Sequence, residues 1–177
     1  MNSAKKLEEQ NSLHANQPRN MKLKQDEQPG IMEKPATQEV IDMMTARWVA
    51  DIIGIAAELE LADFIGAGAK TAKEIAKAKG LHSGSLYRLL RGLASYGIFA
   101  EQEDGTFAQT PRSDTLRKDV PHSAWGWAQL VTRPWAGRAW MELGHSIRTG
   151  TPAFEHVNGM PIFEYFNKHP YELELFA

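Results

Sequence analysis

The six histidines are the side chains of this sequence best suited to acid–base or metal chemistry. No two of them stand at the helical spacing that lets a pair share a metal ion, and none belongs to a His-Glu-x-x-His sequence. Glu155, His156 and Glu164 lie close together along the chain, but an acid–base pair needs a shared cleft, and surface residues are the simpler interpretation. The sequence therefore predicts no catalytic residue and no metal site. The histidines are His14, His82, His122, His145, His156 and His169.

The stretch GAGAK at 66–70 is the only part of the sequence that resembles the start of a dinucleotide-binding loop. It follows a helical pattern rather than a strand, and it lacks the third glycine that such loops use. We interpret it as a loop that ends a helix, and we predict no cofactor-binding residue. The sequence also contains no Gly-x-Ser-x-Gly motif and no P-loop.

Composition is that of one ordinary globular domain preceded by a polar segment. The 177 residues are 42% hydrophobic, carry a formal net charge of −2 and include no cysteine. Disulfides and cysteine-ligated zinc are thereby excluded, and the near-neutral charge provides no long-range attraction for nucleic acid or anionic lipid. No apolar run approaches the roughly 20 residues of a membrane span, and the N-terminus does not resemble a secretory signal. We predict a cytoplasmic protein with no membrane partner, whose residues 1–36 form a flexible polar tail.

A helical apolar period begins at Thr37, the predicted N-cap, and continues until the glycines at 66 and 68. Its apolar positions, Trp48 and Ile52 among them, cover more than the single stripe that one core requires. Two interpretations remain open: a central core helix, or a helix buried partly by its own domain and partly by a second subunit.

Residues 71–110 follow the order of a winged helix-turn-helix. Thr71 and Glu74 form a predicted capping box, Gly80 ends that helix, and Ser83 is predicted to cap the next one. Two strands follow, Ile98 to Glu101 and Thr106 to Gln109, around an Asp-Gly turn. The predicted fold class is mainly α, a winged helix-turn-helix with a small β-hairpin wing and additional helices.

Winged helices often bind DNA, and Arg88 and Arg91 lie three residues apart on the second helix of this one. The wing that would meet phosphate is acidic, however, with Glu101, Glu103 and Asp104. A DNA-binding surface needs several converging cations, so local ion pairs are the better interpretation of both arginines. A DNA-binding transcription regulator is the alternative function, and nucleic acid is not the partner that we expect.

The sequence after Pro111 is again helical, with a helix starting at Pro134 and ending at Gly150, and two more starting at Pro161 and Pro170. Its last residues, 152–177, are dense in large apolar side chains. This half of the chain carries the most specific resemblance to a known family.

The sequence resembles the N-terminal domain of dimeric S-adenosylmethionine-dependent O-methyltransferases, the family of caffeate, acetylserotonin and polyketide-tailoring enzymes. The resemblance covers roughly residues 38–177, and its most specific part runs from Pro134 to Pro170, with Pro-Trp, Gly-x-Pro-x-Phe and Gly-Met-x-x-Phe-Glu-Tyr in that order. Shorter matching phrases are AAELELADFI, TAKEIAKAKGL, LYRLLRGLASYGIF and FAQTPRSDTLR.

The resemblance implies a dimerisation domain, here 37–121, that roofs a substrate pocket instead of binding DNA. It implies a helical connector over 122–177, followed by a Rossmann-like domain that binds S-adenosylmethionine and carries the catalytic histidine. The sequence ends at Ala177, before the family's cofactor-binding strand, so we expect no S-adenosylmethionine binding by this chain alone and leave its own enzymatic activity open. A shortened chain that forms mixed dimers with a full-length relative is a further hypothesis.

The resemblance also implies which residues contact the acceptor, a small hydroxylated and most simply aromatic molecule. The segment after Gly-Met supplies apolar pocket contacts in the family, and Thr132 and Trp135 at the Pro-Trp helix are weaker candidates. An ordinary core position is the alternative for each of them. The stronger candidates are Ile162, Phe163, Phe166 and Phe176.

Overall fold

The computed structural model describes residues 34–176, so the predicted polar tail lies almost entirely outside the described residues. Over this range the chain is mainly helical, with one small antiparallel sheet. The strands are β1 Ala69–Thr71, β2 Phe99–Glu101 and β3 Thr106–Gln109. The helices are α1 Ala36–Glu58, α2 Leu61–Ile65, α3 Ala72–Lys79, α4 Ser83–Ser95, α5 Pro111–Asp114, α6 Trp125–Thr132, α7 Pro134–Met141, α8 Leu143–Thr149, α9 Ala153–Asn158, α10 Ile162–Lys168 and α11 Pro170–Phe176.

The first helical segment is two helices, not the single one predicted up to Gly66. Helix α1 ends at Glu58, and Glu60 adopts a left-handed conformation with φ 49° and ψ 43°. This reversal lets α2 place Leu61 and Ile65 in the core, which a straight continuation of α1 would carry away from it. The end of α2 at Gly66 is where the sequence predicted a helix end.

Capping in the helix-turn-helix part is as predicted for α3 and different for α4. Thr71 Oγ1 accepts a hydrogen bond from the Glu74 backbone N–H, while Glu74 accepts one from the Thr71 N–H at 2.7 Å. Gly80 ends α3 with φ 67°. The N-cap of α4 is His82, not Ser83: its Nδ1 accepts from the backbone N–H of Ser85 at 3.1 Å, because an unprotonated imidazole nitrogen can serve as the cap acceptor.

The hairpin of β2 and β3 is confirmed, with Phe99 opposite Gln109 and Glu101 opposite Phe107. A third strand, β1, was not predicted and pairs with the other edge of β3, from Ala69 opposite Ala108 to Thr71 opposite Thr106. The strand order is β1-β3-β2, so β3 is central. This sheet holds the start of α3 beside the hairpin.

The apolar core consists of two clusters. The larger cluster is formed by the four helices α1, α2, α3 and α4 together with the sheet. Its fully buried side chains include Ile75, Leu90, Leu93, Phe99 and Phe107. The smaller lies among α6, α7, α10 and α11, and its members are Leu130, Trp135, Phe166 and Leu175.

Trp125, at the start of α6, packs against both clusters. Its indole N–H donates to the Ala57 carbonyl at 3.0 Å, near the end of α1, and the Lys118 ammonium lies 4.8 Å from its ring centroid. One turn before that carbonyl, the Cα of Gly54 lies so near Thr132 that any added Cβ would overlap the threonine side chain. Helix α6 is therefore fixed closely against α1.

Helix α11 is held against α6 by a second close approach. A Cβ on Gly126 would lie 2.8 Å from the Leu175 carbonyl oxygen, which is a backbone atom and cannot rotate away. Among the described residues, no helix is both long enough and apolar enough to cross a membrane.

We expect Gly126→Ala to lower the free energy of unfolding by about 1–3 kcal/mol, because α11 must move to admit the methyl group. Gly68→Ala is the control, since no atom lies within 4 Å of its added Cβ, and it should change stability by less than about 0.5 kcal/mol. Urea unfolding measures both. Equal stability of the two variants would contradict the close packing of α6 and α11.

Candidate functional site

Three of the predicted pocket residues form a row of phenyl rings that runs from the interior to the surface. Phe166 is 1% exposed, and its ring centroid lies 6.5 Å from that of Phe163 and 5.2 Å from that of Phe176. The two outer rings are 68% and 50% exposed, respectively. The row therefore presents an aromatic surface anchored on one buried ring.

Two prolines explain how the row is positioned. Pro161 precedes α10 with an extended conformation, and positions 163 and 166 then fall three apart on one helix face. Pro170 interrupts the helical run and starts α11, whose last described residue is Phe176. Both helix starts are where the sequence placed them.

Trp135 is a core residue of the smaller cluster, 7% exposed. Its ring stands edge-on to those of Phe154 and Phe166, each at 5.7 Å between centroids. Its indole N–H is buried and has no hydrogen-bond partner among the described residues. The neighbouring Tyr165 has its pKa raised, first by burial and then by the negative charge of Glu172.

Ile162 and Thr132 line two different clefts. Ile162, at the start of α10, borders a small apolar cleft of about 240 Å³ whose walls include Trp135, Trp140 and Phe154. Thr132, at the end of α6, borders a cleft of about 370 Å³ between α1, α6 and α7. The six predicted residues thus occupy one aromatic row, one buried ring and two clefts, and their contact with an acceptor stays a prediction.

A buried polar cluster between α6 and α11 was missed from the sequence. The Arg133 and Glu172 side chains form an ion pair at 3.4 Å and are only 20% and 16% exposed. Arg133 also lies over the Tyr171 ring at 5.2 Å, and the Tyr171 hydroxyl donates to the buried Gln129 Oε1 at 3.2 Å. These residues are about 40 positions apart, so no local pattern predicts the contact. The cluster fixes the helix that carries Phe176.

Among residues 34–176, no group of three or more histidine and acidic side chains is placed to hold a metal ion. His145 and His156 stack with ring centroids 4.0 Å apart and planes tilted by 9°, and His145 Nε2 contacts Thr151 Oγ1 at 2.9 Å. Glu155 and His156 are exposed, and Glu164 is paired with Lys168 at 2.7 Å on the surface. Glu155, His156 and Glu164 are therefore surface residues, as the sequence predicted.

Comparison with known proteins identifies the domain formed by residues 41–119. The family model for the O-methyltransferase dimerisation domain matches residues 41–119. This chain contains an O-methyltransferase dimerisation domain. The match spans α1 to α5 and the sheet, which is the part built around the larger core cluster.

The dimerisation domain has relatives among bacterial natural-product methyltransferases. The chain is 36% identical over 152 residues to mitomycin biosynthesis 6-O-methyltransferase of Streptomyces lavendulae, covering 85% of this chain and 44% of that protein. It is 35% identical over 136 residues to phenazine O-methyltransferase PhzM of Lysobacter antibioticus, covering 77% of this chain and 40% of that protein. The chain thus spans less than half the length of these relatives.

Solved structures show the same fold for the O-methyltransferase dimerisation domain. The structure of LaPhzM superposes with a TM-score of 0.77 at 34% identity, over 81% of this chain and 43% of that one. NcsB1, an O-methyltransferase from neocarzinostatin biosynthesis, superposes with a TM-score of 0.60 at 36% identity, over 72% of this chain and 40% of that one. NcsB1 was solved with S-adenosylmethionine and 2-hydroxy-5-methyl naphthoic acid.

The two arginines considered for DNA binding have local partners in the dimerisation domain. Arg91 Nε lies 3.6 Å from a Glu101 carboxylate oxygen, and Arg88 donates to Ser85 Oγ at 3.3 Å. The Tyr87 hydroxyl donates to the same glutamate at 3.0 Å, which raises the pKa of Tyr87. The geometry agrees with local pairing, and nothing in the comparisons favours DNA binding.

We expect Glu172→Gln to lower the free energy of unfolding by about 1–3 kcal/mol, since it leaves a mostly buried guanidinium without its anion. The matched control is Glu164→Gln, which breaks a pair whose side chains are 55% and 52% exposed and should cost less than about 0.5 kcal/mol. Urea unfolding at neutral pH measures both. A cost for Glu164→Gln as large as that for Glu172→Gln would show that the buried cluster does not hold α11.

Proposed function

We propose that this chain joins two copies of an S-adenosylmethionine-dependent O-methyltransferase and forms one wall of its acceptor pocket. The acceptor in this proposal is a small hydroxylated aromatic molecule. The family match and the aromatic acceptors or ligands that the relatives' names record support it. The observation that carries the dimer is the exposed apolar surface of α1.

The N-terminal part of helix α1 buries little surface within its own domain. Of its 23 residues only Gly54, Ala56 and Ala57 are buried, all in its last two turns. Its earlier turns instead expose Met43, Met44 and Trp48 by 74%, 72% and 68%. Most helical stability in proteins comes from packing an apolar face, so these turns need a cover. A second copy of the same helix provides one of matching chemistry.

The structure distinguishes the two residues predicted at this contact. Ile52 packs against the larger core cluster of its own chain, and its Cδ1 lies 3.7 Å from the position of a Cβ on Gly92. Trp48 projects into solvent. The proposal therefore assigns the contact between copies to Trp48 and its exposed neighbours, while Ile52 supports the helix from behind.

The finer domain assignment is also part of the proposal. Helices α3 and α4 with the β2–β3 hairpin form the winged-helix part of a dimerisation domain over 37–121, in which the wing serves the fold. Residues 122–177 are the connector that carries the aromatic row. The cytoplasm is the compartment that suits this enzyme class.

The loop with Gly66 and Gly68 does not have the arrangement of a nucleotide-binding loop. A nucleotide loop has its glycines after a strand and before a helix, whereas Gly66 and Gly68 follow α2 and precede the short edge strand β1. We therefore assign the donor site and the catalytic base to the part of the relatives that this chain does not match. The contribution of this chain is to hold an acceptor in position, which is a large part of catalysis for a transfer between two bound molecules.

We expect the unmodified chain to form a dimer and Trp48→Lys to raise the dimer dissociation constant at least about tenfold, because it places a charge in an apolar contact. Trp127→Lys is the matched control, since that tryptophan is also exposed, by 62%, but lies on α6. Sedimentation velocity measures both, and calorimetry of the same samples with S-adenosylmethionine should give no binding heat. A monomeric unmodified chain would refute the dimer, and tight donor binding would refute the placement of the donor site.

A further inference from the structure

The cleft between α1, α6 and α7 has the size and lining of a small-molecule site. Its volume of about 370 Å³ falls within the roughly 300–1,000 Å³ of typical ligand pockets. Thr132, one of the predicted acceptor contacts, forms part of its wall. The other lining residues are Arg47, Ala50, Asp51, Val131, Gly137 and Trp140.

Two opposite charges border this cleft without being paired. The Arg47 guanidinium reaches from α1 across to α7, where a terminal nitrogen lies 3.5 Å from the position that a Cβ on Gly137 would take. Asp51 lies one turn further along α1 and also borders the cleft. Within the described part of the chain, neither side chain makes an ion pair or a side-chain hydrogen bond. A ligand can therefore use both without displacing an existing partner.

Trp140 provides the apolar wall of the cleft. It lies one turn after Gly137 on α7, and its side chain is 69% exposed. A flat aromatic ring stacked on this indole would bury apolar surface on both partners and gain the additional energy of an aromatic contact. The absence of a side chain at Gly137 leaves room for the guanidinium and the ligand together.

We propose that this cleft binds a hydroxylated aromatic acid. The carboxylate accepts two hydrogen bonds from the Arg47 guanidinium, the ring stacks on Trp140, and the hydroxyl at the other end donates to Asp51. The binding itself depends only on this geometry. That the bound acid is the methyl acceptor, with its hydroxyl as the methylated group, rests on the proposed function.

The cleft borders the surface proposed for contact between copies. Arg47 and Trp48 are consecutive in α1 and therefore point in directions about 100° apart around the helix axis, whereas Met43 lies one turn before Arg47 on the same face. The second copy of the proposed dimer would therefore lie next to the charged cleft. A purely apolar occupant would leave Arg47 and Asp51 unused, so the charge pattern selects a polar aromatic molecule over an apolar side chain of another protein.

Three probe molecules that share one ring system separate the contributions. Isothermal calorimetry with the full chain at neutral pH would use 6-hydroxy-2-naphthoate, 2-naphthol, which lacks the acid, and 2-naphthoate, which lacks the hydroxyl. We expect 6-hydroxy-2-naphthoate to bind most tightly and 2-naphthol to bind about ten- to a hundredfold more weakly, as expected for a lost charge-assisted contact. 2-Naphthoate should lie between them.

Variants then assign each contact. Arg47→Gln should weaken the binding of 6-hydroxy-2-naphthoate by about the same ten- to a hundredfold and leave the binding of 2-naphthol unchanged. Asp51→Ala should leave only the binding of 2-naphthoate unchanged. Trp140→Ala should weaken all three probes. The control is Arg138→Gln, on the same helix as Trp140 but bordering a different cleft with Met141 and Glu142. Thermal unfolding shows whether each variant is folded.

Three outcomes would overturn this site. The first is no saturable binding of 6-hydroxy-2-naphthoate up to about 1 mM, which corresponds to a binding free energy of only about −4 kcal/mol. The others are an equal loss of affinity for all three probes in Arg47→Gln, or the same loss of affinity in the control Arg138→Gln. Sedimentation of the same samples reports the oligomeric state separately. A monomer that binds the acid would refute the proposed dimer alone, and a dimer that does not bind it would refute the cleft alone.

Discussion

The contact between α1 and α6 positions every other candidate functional element. The Trp125 indole closes it at the end of α1 by donating to Ala57, and Gly54 closes it one turn earlier by admitting Thr132. Since Trp125 touches both core clusters, this contact also joins the dimerisation domain to the C-terminal helices. Without it, the larger cluster would still bury its own side chains, but the second cluster would have no fixed place.

Two consequences follow from holding α6 in this position. The end of α6 and the start of α7 are set beside the middle of α1, which creates the cleft with Arg47 and Asp51. The start of α6 receives α11 at Gly126, and the ion pair of Arg133 with Glu172 fixes the same helix from its other end. The aromatic row thus stands on a rigid base, although its outer rings are exposed. Preorganised contacts of this kind cost a ligand less ordering entropy on binding.

In the proposal, the exposed apolar surfaces are contact surfaces for other molecules. The earlier turns of α1 and the outer rings of the aromatic row are far apart in sequence and serve different partners in the proposal, a second copy and an acceptor with the rest of the enzyme. Both surfaces are attached to well-buried elements. The larger core cluster explains why the domain can afford such surfaces and remain folded.

Sequence reasoning succeeded at many local signals and failed where pairing is distant. The local exceptions are the caps predicted at Thr37 and Ser83 and the break at Glu60. The capping box of Thr71, the glycine ends at Gly80 and Gly150 and the proline starts of α7 and α11 are fixed by residues within one turn. The single helix predicted from Pro134 to Gly150 is instead two helices, α7 and α8, separated at Glu142. The strand β1 has no alternating pattern and exists only because β3 is available to pair with it.

The contrast between local signals and distant pairing also explains which parts of the candidate site could be predicted. The aromatic row could be predicted, since its residues share one segment and match a family phrase. The Arg47 cleft and the buried cluster around Gln129 could not, because each joins helices that are distant in sequence. Their charged members look like ordinary surface residues until the helices are packed.

Hydrogen exchange of the backbone amides of residues 40–50, measured at a low and a high concentration of the unmodified chain, tests the central claim most directly. The account predicts that these amides are protected and that protection rises with concentration, because a second copy covers this part of α1. The amides of α4, buried within the chain's own core, should be protected equally at both concentrations. Rapid exchange of residues 40–50 at both concentrations, beside a protected α4, would contradict the account.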